Sequence, residues 1–244
     1  VHLNGDIVCA IDTETTGLDC DYHEMIQVAI VPLGVNFEVD ESIDPFYATI
    51  KPEYPGRWDD GAARVNGLRE VSANHGLDKY LVLDQFIDWF HELPLAETKS
   101  PPYHKRIVPL VKNWAFDRGF LRKWFSVLDD EDGYAFDKYI NSRVARDLQP
   151  VVHYLNDLAY GNVMELPFNK ASLGYVCKRL DINADGAHDA LTDAIMTAKA
   201  YSRLINMRMP HGIDLGQTKY DNSVPVEYTI DKGDVCSLDD VIGE

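Results

Sequence analysis

The sequence predicts one α/β domain, and three features predict it: short β-branched runs come first, helical spacings follow, and no linker divides two cores. Ile7 to Ile11 is a short apolar run leading into a Thr-Gly turn, so a buried strand is expected from about Asp6 to Thr13. Glu24 to Leu33 and Phe46 to Lys51 are two further β-prone runs, divided by Gly34 and the polar stretch Asp40 to Asp44. Three successive strands with short links predict an antiparallel meander. After Pro52 and Pro55 the spacing turns helical. Asp59 and Asp60 suit the start of a short helix reaching Val65, and Tyr80, Leu81, Leu83, Phe86, Ile87, Trp89 and Phe90 recur as in a helix packed on a sheet. Leu93 to Lys105, with three prolines, reads as a loop. Ile107 to Val111 is then a fourth strand, and Phe116 to Leu128 an amphipathic helix directly after it, with Asp117 at the junction. Tyr134 to Ile140 is expected as a fifth strand, followed by an Asn141-Ser142 cap and a helix to about Leu158. Ala171 to Leu180 and Ala190 to Met207 form the last helical block, separated by Asp181 to Ala187. The expected division is a domain over residues 1–210 and an acidic C-terminal extension over residues 211–244, whose role stays open.

Composition narrows the function classes. With 45% hydrophobic and 11% aromatic residues the chain is an ordinary globular one, neither disordered nor fibrous. It opens without a basic stretch and long apolar run, and nothing approaches the ~20 apolar residues of a membrane span. An unexported, cytoplasmic protein with no membrane partner is the expectation. Cys9, Cys20, Cys177 and Cys236 lie far apart, so neither a zinc knuckle nor a Cys-x-x-Cys redox pair is indicated. The net charge of −17 argues against a long duplex footprint, since phosphate neutralisation by Lys and Arg carries most non-specific affinity. The segment after Pro210, with 8 acidic and 2 basic residues, accounts for part of it. A short substrate, or a strand end gripped through metal ions, fits this balance.

Five residues recur in an order that suits divalent metals and an activated water: Asp12, Glu14, Asp117, His188 and Asp193. Two apart on a strand, Asp12 and Glu14 present both carboxylates on one face while Thr13 turns away. Carboxylate oxygens are hard donors suited to Mg²⁺ or Mn²⁺. Each residue alone has a plainer explanation: an acidic turn for Asp12 and Glu14, a first-turn helix acid for Asp117, a helix cap for His188 and Asp189. On an ideal helix His188 and Asp193 would stand about 140° apart, so His188 belongs in the loop or first turn with Asp193 one turn further in. A neutral imidazole there could take a proton from water.

Taken in order, these residues resemble a known family, the DEDDh branch of 3′→5′ exonucleases. Asp12-Thr13-Glu14-Thr15-Thr16-Gly17-Leu18 is similar to its first motif, Asn113-x-x-Phe116-Asp117-x-x-Phe120-Leu121 to its second, and His188-x-Ala190-Leu191-x-Asp193-Ala194 to its third. Ala63 to Leu68 is similar to the segment after the third strand. One departure is Asn141-Ser142 where Asp-Thr is common, which the capping ability of Asn makes tolerable. The resemblance runs from about Ile7 to Leu204 and implies a ribonuclease H-like, five-stranded mixed sheet with helices on both faces.

It also implies hydrolysis at the 3′ end of single-stranded DNA or RNA with two Mg²⁺ or Mn²⁺ ions, releasing nucleoside 5′-monophosphates. Asp12, Glu14, Asp117 and Asp193 would be metal ligands and His188 the general base, so activity should rise from acid towards mildly alkaline pH. Thr15, Thr16, Leu18 and Asn66 would meet the terminal nucleotide. Phe120 and Trp124 read as helix core rather than stacking platforms, and Arg118, Arg122 and Lys123 either guide a strand or form a solvated face. Relatives offer two protein partners, a second copy or a polymerase. The alternatives are a catalytically silent nucleic-acid or partner-binding module of the same fold, which presence of all five residues disfavours, and a calcium-binding structural protein, for which no regular Asp-x-Asp-x-Asp-Gly loop exists.

Overall fold

The structure, a computed structural model, describes residues 2–3, 5–94, 105–128, 134–162 and 164–206. A two-residue strand, β1 (His2–Leu3), folds back antiparallel onto β2 (Asp6–Thr15). β2 pairs antiparallel with β3 (Met25–Pro32), which pairs antiparallel with β4 (Phe46–Thr49). This is the expected meander. Three short helices follow: α1 (Asp60–Asn66), α2 (Arg69–His75) and the longer α3 (Lys79–Glu92). Asp59 caps α1 by accepting from the Ala62 N–H, and Asp78 caps α3. β5 (Ile107–Val111) joins the other edge of β2 in parallel and leads into α4 (Trp114–Phe125). The remaining elements are α5 (Tyr134–Tyr139), β6 (Arg146–Asp147), α6 (Leu148–Gly161), α7 (Leu173–Arg179) and α8 (Ala190–Asn206). With β6 parallel to β5, the order β4-β3-β2-β5-β6 is the five-stranded mixed sheet of the ribonuclease H-like fold, with β1 as an addition.

Two expectations fail around α5. Residues 134–140 are not the fifth strand: 134–139 is helical, because buried Phe136, Tyr139 and Ile140 recur at helical spacing while Asp137 and Lys138 face solvent. A short aromatic run does not separate the two periods well. Nor do Asn141 and Ser142 cap the long helix. The Asn141 side chain instead donates to Asp6 Oδ2 at 2.6 Å, and α6 starts only after Asp147, whose carboxylate accepts from the Gln149 N–H. The loop expected over 93–105 falls largely on residues 95–104, and the end of the last helix at Met207 and the extension over 211–244 lie outside the described residues as well.

Helices cover both faces of the sheet. On one, Ile7, Cys9, Ile11, Val28 and Ile30 meet α3 and α4 through Phe86, Phe90, Leu121, Trp124 and Phe125. On the other, Val8, Ala10, Ala29, Val31, Val108 and Leu110 meet Ala190, Ala194 and Ala198 of α8. These alanines, spaced four apart and fully buried, offer only methyl groups, which lets α8 lie close on the sheet. β3, covered on both sides, is apolar at almost every position and buried throughout.

Candidate active site

The alternation of β2 carries through to its end. Val8 and Ala10 face α8, so Asp12 and Glu14 continue that row past the last alanine, where the helix begins. Across the ladder Asp12 is opposite Ala29 and Glu14 opposite Gln27, and the register shifts immediately afterwards, between Glu14 and Thr15. Asp193 comes from the first turn of α8. Among the described residues, one ligand atom from each of Glu14, His188 and Asp193 lies within 4.8 Å of the others.

Thr13 does point to the opposite face, yet it is not idle. Its hydroxyl donates to Asp117 Oδ1 at 2.8 Å, so the residue between the two strand carboxylates fixes the carboxylate on α4. Asp117 is 4% exposed and sits in the first turn of α4. The start of that helix is also held by Asp147, which accepts the Trp114 N–H at 2.8 Å.

His188 stands just outside α8 with a left-handed backbone, φ 73°. A non-glycine residue there costs roughly 1–2 kcal/mol and persists only where its surroundings impose it. They do so from three sides. The His188 N–H donates to Asp193 Oδ1 at 3.3 Å, and the Ala190 N–H donates to Gln27 Oε1 at 2.8 Å. Asp189 caps the helix through the Thr192 N–H and accepts from the Tyr47 hydroxyl at 2.5 Å. Gln27 Nε2 in turn donates to that hydroxyl oxygen at 2.7 Å. Gln27 and Tyr47 thus join β3 and β4 to the histidine turn. Sequence reasoning missed both, and missed Thr13, since nothing local marks a partner more than a hundred residues away.

Acidic groups are concentrated at the site and only partly offset by nearby donors. The Asp12 carboxyl is held well above the usual carboxylate range, first by desolvation and then by Asp117, Asp193, Glu14 and Asp189, every one of them negative. Burial pushes Glu14 up to about 7, opposed by a hydrogen bond from Asn66 and reinforced by Asp193 and Asp189. Burial likewise raises Asp117 to about 7, against the hydrogen bond from Thr13. Asp193 is raised by burial, with the His188 N–H pulling it back down. Clustered oxygen donors that repel one another are the set a hard divalent cation would relieve, so Mg²⁺ or Mn²⁺ fits this chemistry.

The turn after β2 holds the other expected residues. The Thr15 hydroxyl donates to the Gly17 carbonyl at 2.6 Å, and the buried Thr16 hydroxyl accepts the Glu24 N–H at 2.9 Å, so both side chains are tied within the turn. Gly17 leaves room for the His23 ring, which a Cβ there would meet at 2.3 Å and displace. Leu18 projects with 84% of its surface exposed. Asn66 reaches the same place, its side-chain amide donating to the Thr15 carbonyl at 3.1 Å. Phe120 and Trp124 are buried in the core, and Arg118, Arg122 and Lys123 line the exposed face of α4.

Residues 9–100 match the exonuclease family model RNase_T. That stretch holds Asp12 and Glu14, while Asp117, His188 and Asp193 lie beyond it. No curated protein sequence matches the chain. Among solved structures it is similar to a zinc-bound complex of E. coli exonuclease I with single-stranded DNA, at 21% identity and a TM-score of 0.63, covering 84% of this chain and 41% of that one. The same enzyme with a dT13 oligonucleotide gives 19% identity and a TM-score of 0.62, over 82% and 41%. Cell-death related nuclease 4 gives 24% identity and a TM-score of 0.58, over 84% and 65%. The chain therefore spans about two fifths of the length of the exonuclease I structures. Among the described residues no helix is long and apolar enough to cross a membrane.

Proposed function

We propose that the chain is a metal-dependent 3′→5′ exonuclease that hydrolyses phosphodiester bonds at the 3′ end of single-stranded DNA or RNA and releases nucleoside 5′-monophosphates. The observation that carries this is the meeting of Glu14, His188 and Asp193 within 4.8 Å, with Asp12 on the same strand face as Glu14 and close enough to feel the charges of Glu14, Asp117 and Asp193. The oligonucleotides held by the E. coli exonuclease I structures add support for a single strand as ligand.

Asp12, Glu14, Asp117 and Asp193 would hold two Mg²⁺ or Mn²⁺ ions, which when bound supply Lewis acidity and offset negative charge. The protein's own groups do the rest. A neutral His188 takes a proton from the attacking water at its unprotonated ring nitrogen, the water oxygen bonds to phosphorus, and the bond to the 3′ oxygen of the shortened strand breaks. The Asp193 carboxylate, accepting the His188 N–H, keeps the imidazole turn in place for this. Thr13 holds Asp117, and Asn66 steadies both Glu14 and the Thr15 carbonyl. Leu18 and Asn66 would meet the terminal nucleotide, while Thr15 and Thr16, buried and bonded within the turn, would shape its position from behind. Residues 1–210 form the exonuclease domain in this proposal, with 211–244 an acidic extension.

The test is product analysis of 5′-labelled single- and double-stranded DNA and RNA oligonucleotides with Mg²⁺ or Mn²⁺, beside Asp12→Ala. A ladder shortening from the 3′ end, absent in the variant, is the expected result. Activity untouched by Asp12→Ala sinks the proposal.

A further inference from the structure

Beside the turn that follows β2, three side chains form an arrangement that the core does not need and the catalytic group does not use. The Arg57 guanidinium lies 3.9 Å from the centre of the Tyr54 ring and 5.3 Å from that of Tyr22. One of its N–H groups donates to the Tyr22 carbonyl at 3.4 Å, and among the described residues no carboxylate is within ion-pairing distance. What sets Arg57 apart from the other arginines without a carboxylate is that it lies against two exposed rings. Both rings stay open to solvent, Tyr22 at 51% and Tyr54 at 47% exposure.

This patch is fastened to the turn that leaves the catalytic strand. The Glu24 carboxylate accepts the N–H groups of Glu53 at 2.9 Å and Tyr54 at 2.8 Å. Glu24 itself pairs with Thr16 through backbone and hydroxyl, and the Asp59 N–H donates to the Thr16 carbonyl at 2.8 Å. Tyr22 stands edge-on to His23, the ring that fills the space beside Gly17. The rings and Arg57 are thus braced against the same few residues that carry Leu18.

Aromatic faces accept any base, because every base has a π-face, and a guanidinium offers a planar donor fork to phosphate. A duplex keeps its base faces stacked inside. We infer that Tyr22, Arg57 and Tyr54 form a platform for a single strand, on which bases upstream of the 3′-terminal nucleotide stack on the rings while Arg57 takes an internucleotide phosphate. The inference rests on the exonuclease reading for the direction of the strand. It gives this acidic chain a grip that depends on stacking rather than on a broad basic surface.

The test is fluorescence anisotropy of the full chain in EDTA, with labelled dT and rU oligonucleotides of one, four and eight nucleotides and a duplex competitor. Wild-type affinity should climb with length and exceed that for duplex. Tyr54→Ala and Tyr22→Ala should each lower octamer affinity about 5- to 100-fold. Tyr54→Phe should restore it, and Arg57→Ala should lower it and flatten its salt dependence. Tyr160→Ala, which removes an 80% exposed ring on α6, should leave it alone. Unchanged octamer affinity in the three platform variants, at wild-type melting temperature, overturns the platform, as does equal binding of duplex by the wild type. The dT and rU arms report which sugar the platform favours. Because no metal-dependent cleavage runs in EDTA, failure of the exonuclease reading shows separately, as a missing ladder in Mg²⁺ with the platform's binding intact.

Discussion

At the start of β2, Asp6 is 7% exposed and its carboxylate is met on every side: it accepts the Arg106 N–H at 3.0 Å, the Arg106 guanidinium at 3.4 Å and the Asn141 amide at 2.6 Å. Six and eight residues further along the same strand, Asp12 and Glu14 look out on Asp117, Asp189 and Asp193. The first carboxylate is answered by the protein and ties β2 to the entry of β5 and to the loop after α5. The second pair is answered only by the Asn66 amide at Glu14 and otherwise faces other acids. A fold can satisfy a buried acid when it serves architecture, and leaves one unsatisfied where something from solution completes it.

Substitution at the two ends should separate these roles most sharply in activity. Asp12→Ala is expected to lower the rate of 3′-end shortening by about 10³-fold or more, since such groups act as a unit, whereas Asp6→Asn should leave it near wild type. Timed product ladders measure both, and an active Asp12→Ala would erase the distinction.

Stability should move the opposite way. Glu14 and Asp117 are raised from ordinary values of 4.5 and 3.8 to about 7, so between those limits the folded state keeps protons that the unfolded chain has released. Metal-free stability should therefore fall as pH rises through that window and level off above it. Mg²⁺ or Mn²⁺ at pH 8 should restore about 5 °C of melting temperature. Glu14→Gln should raise the metal-free melting temperature at pH 8 and weaken its pH dependence. Calorimetry across pH with and without metal decides this, and a metal-free melting temperature that climbs from pH 5 to 7 would contradict it.

At the satisfied end, Asp6→Ala leaves the Arg106 N–H and the Asn141 amide without their acceptor and should cost about 1–3 kcal/mol in urea unfolding. A change under about 0.5 kcal/mol, the range of an ordinary surface substitution, would show that Asp6 ties nothing. The smallest effect is expected at Gln27. Gln27→Leu removes the acceptor for the Ala190 N–H and the donor to Tyr47, so kcat should fall about 10-fold through a misplaced His188, while metal-induced stabilisation persists. A loss of metal response in that variant would assign Gln27 to the carboxylates instead.

The same contrast explains what could be read in advance. β2, β3, β4 and β5 announce themselves through apolar runs, and the meander and the strand-to-helix unit around Asp117 follow from them. β6 has only two residues, Arg146 and Asp147, too short and too polar to leave a pattern, and the helical Phe136, Tyr139 and Ile140 took its place in the expectation. At the site, the five residues proposed as metal ligands and base are legible because their order along the chain is itself a signal. Thr13, Gln27 and Tyr47 are not, because each matters through a single hydrogen bond to a distant element. Asp189 was legible as a helix cap, and the structure adds its second bond, to Tyr47.

The three alanines of α8 have a consequence for the chemistry as well as for the core. Asp193 rides on the helix they seat, and Glu14 on the strand they rest against, so the size of three buried methyl groups governs how near those carboxylates come. Ala194→Leu would act as a shim, lifting the helix from the sheet and pulling apart two charges that it never touches. The tolerance of the site is thus machined into the interior of the protein, and the two carboxylates inherit it.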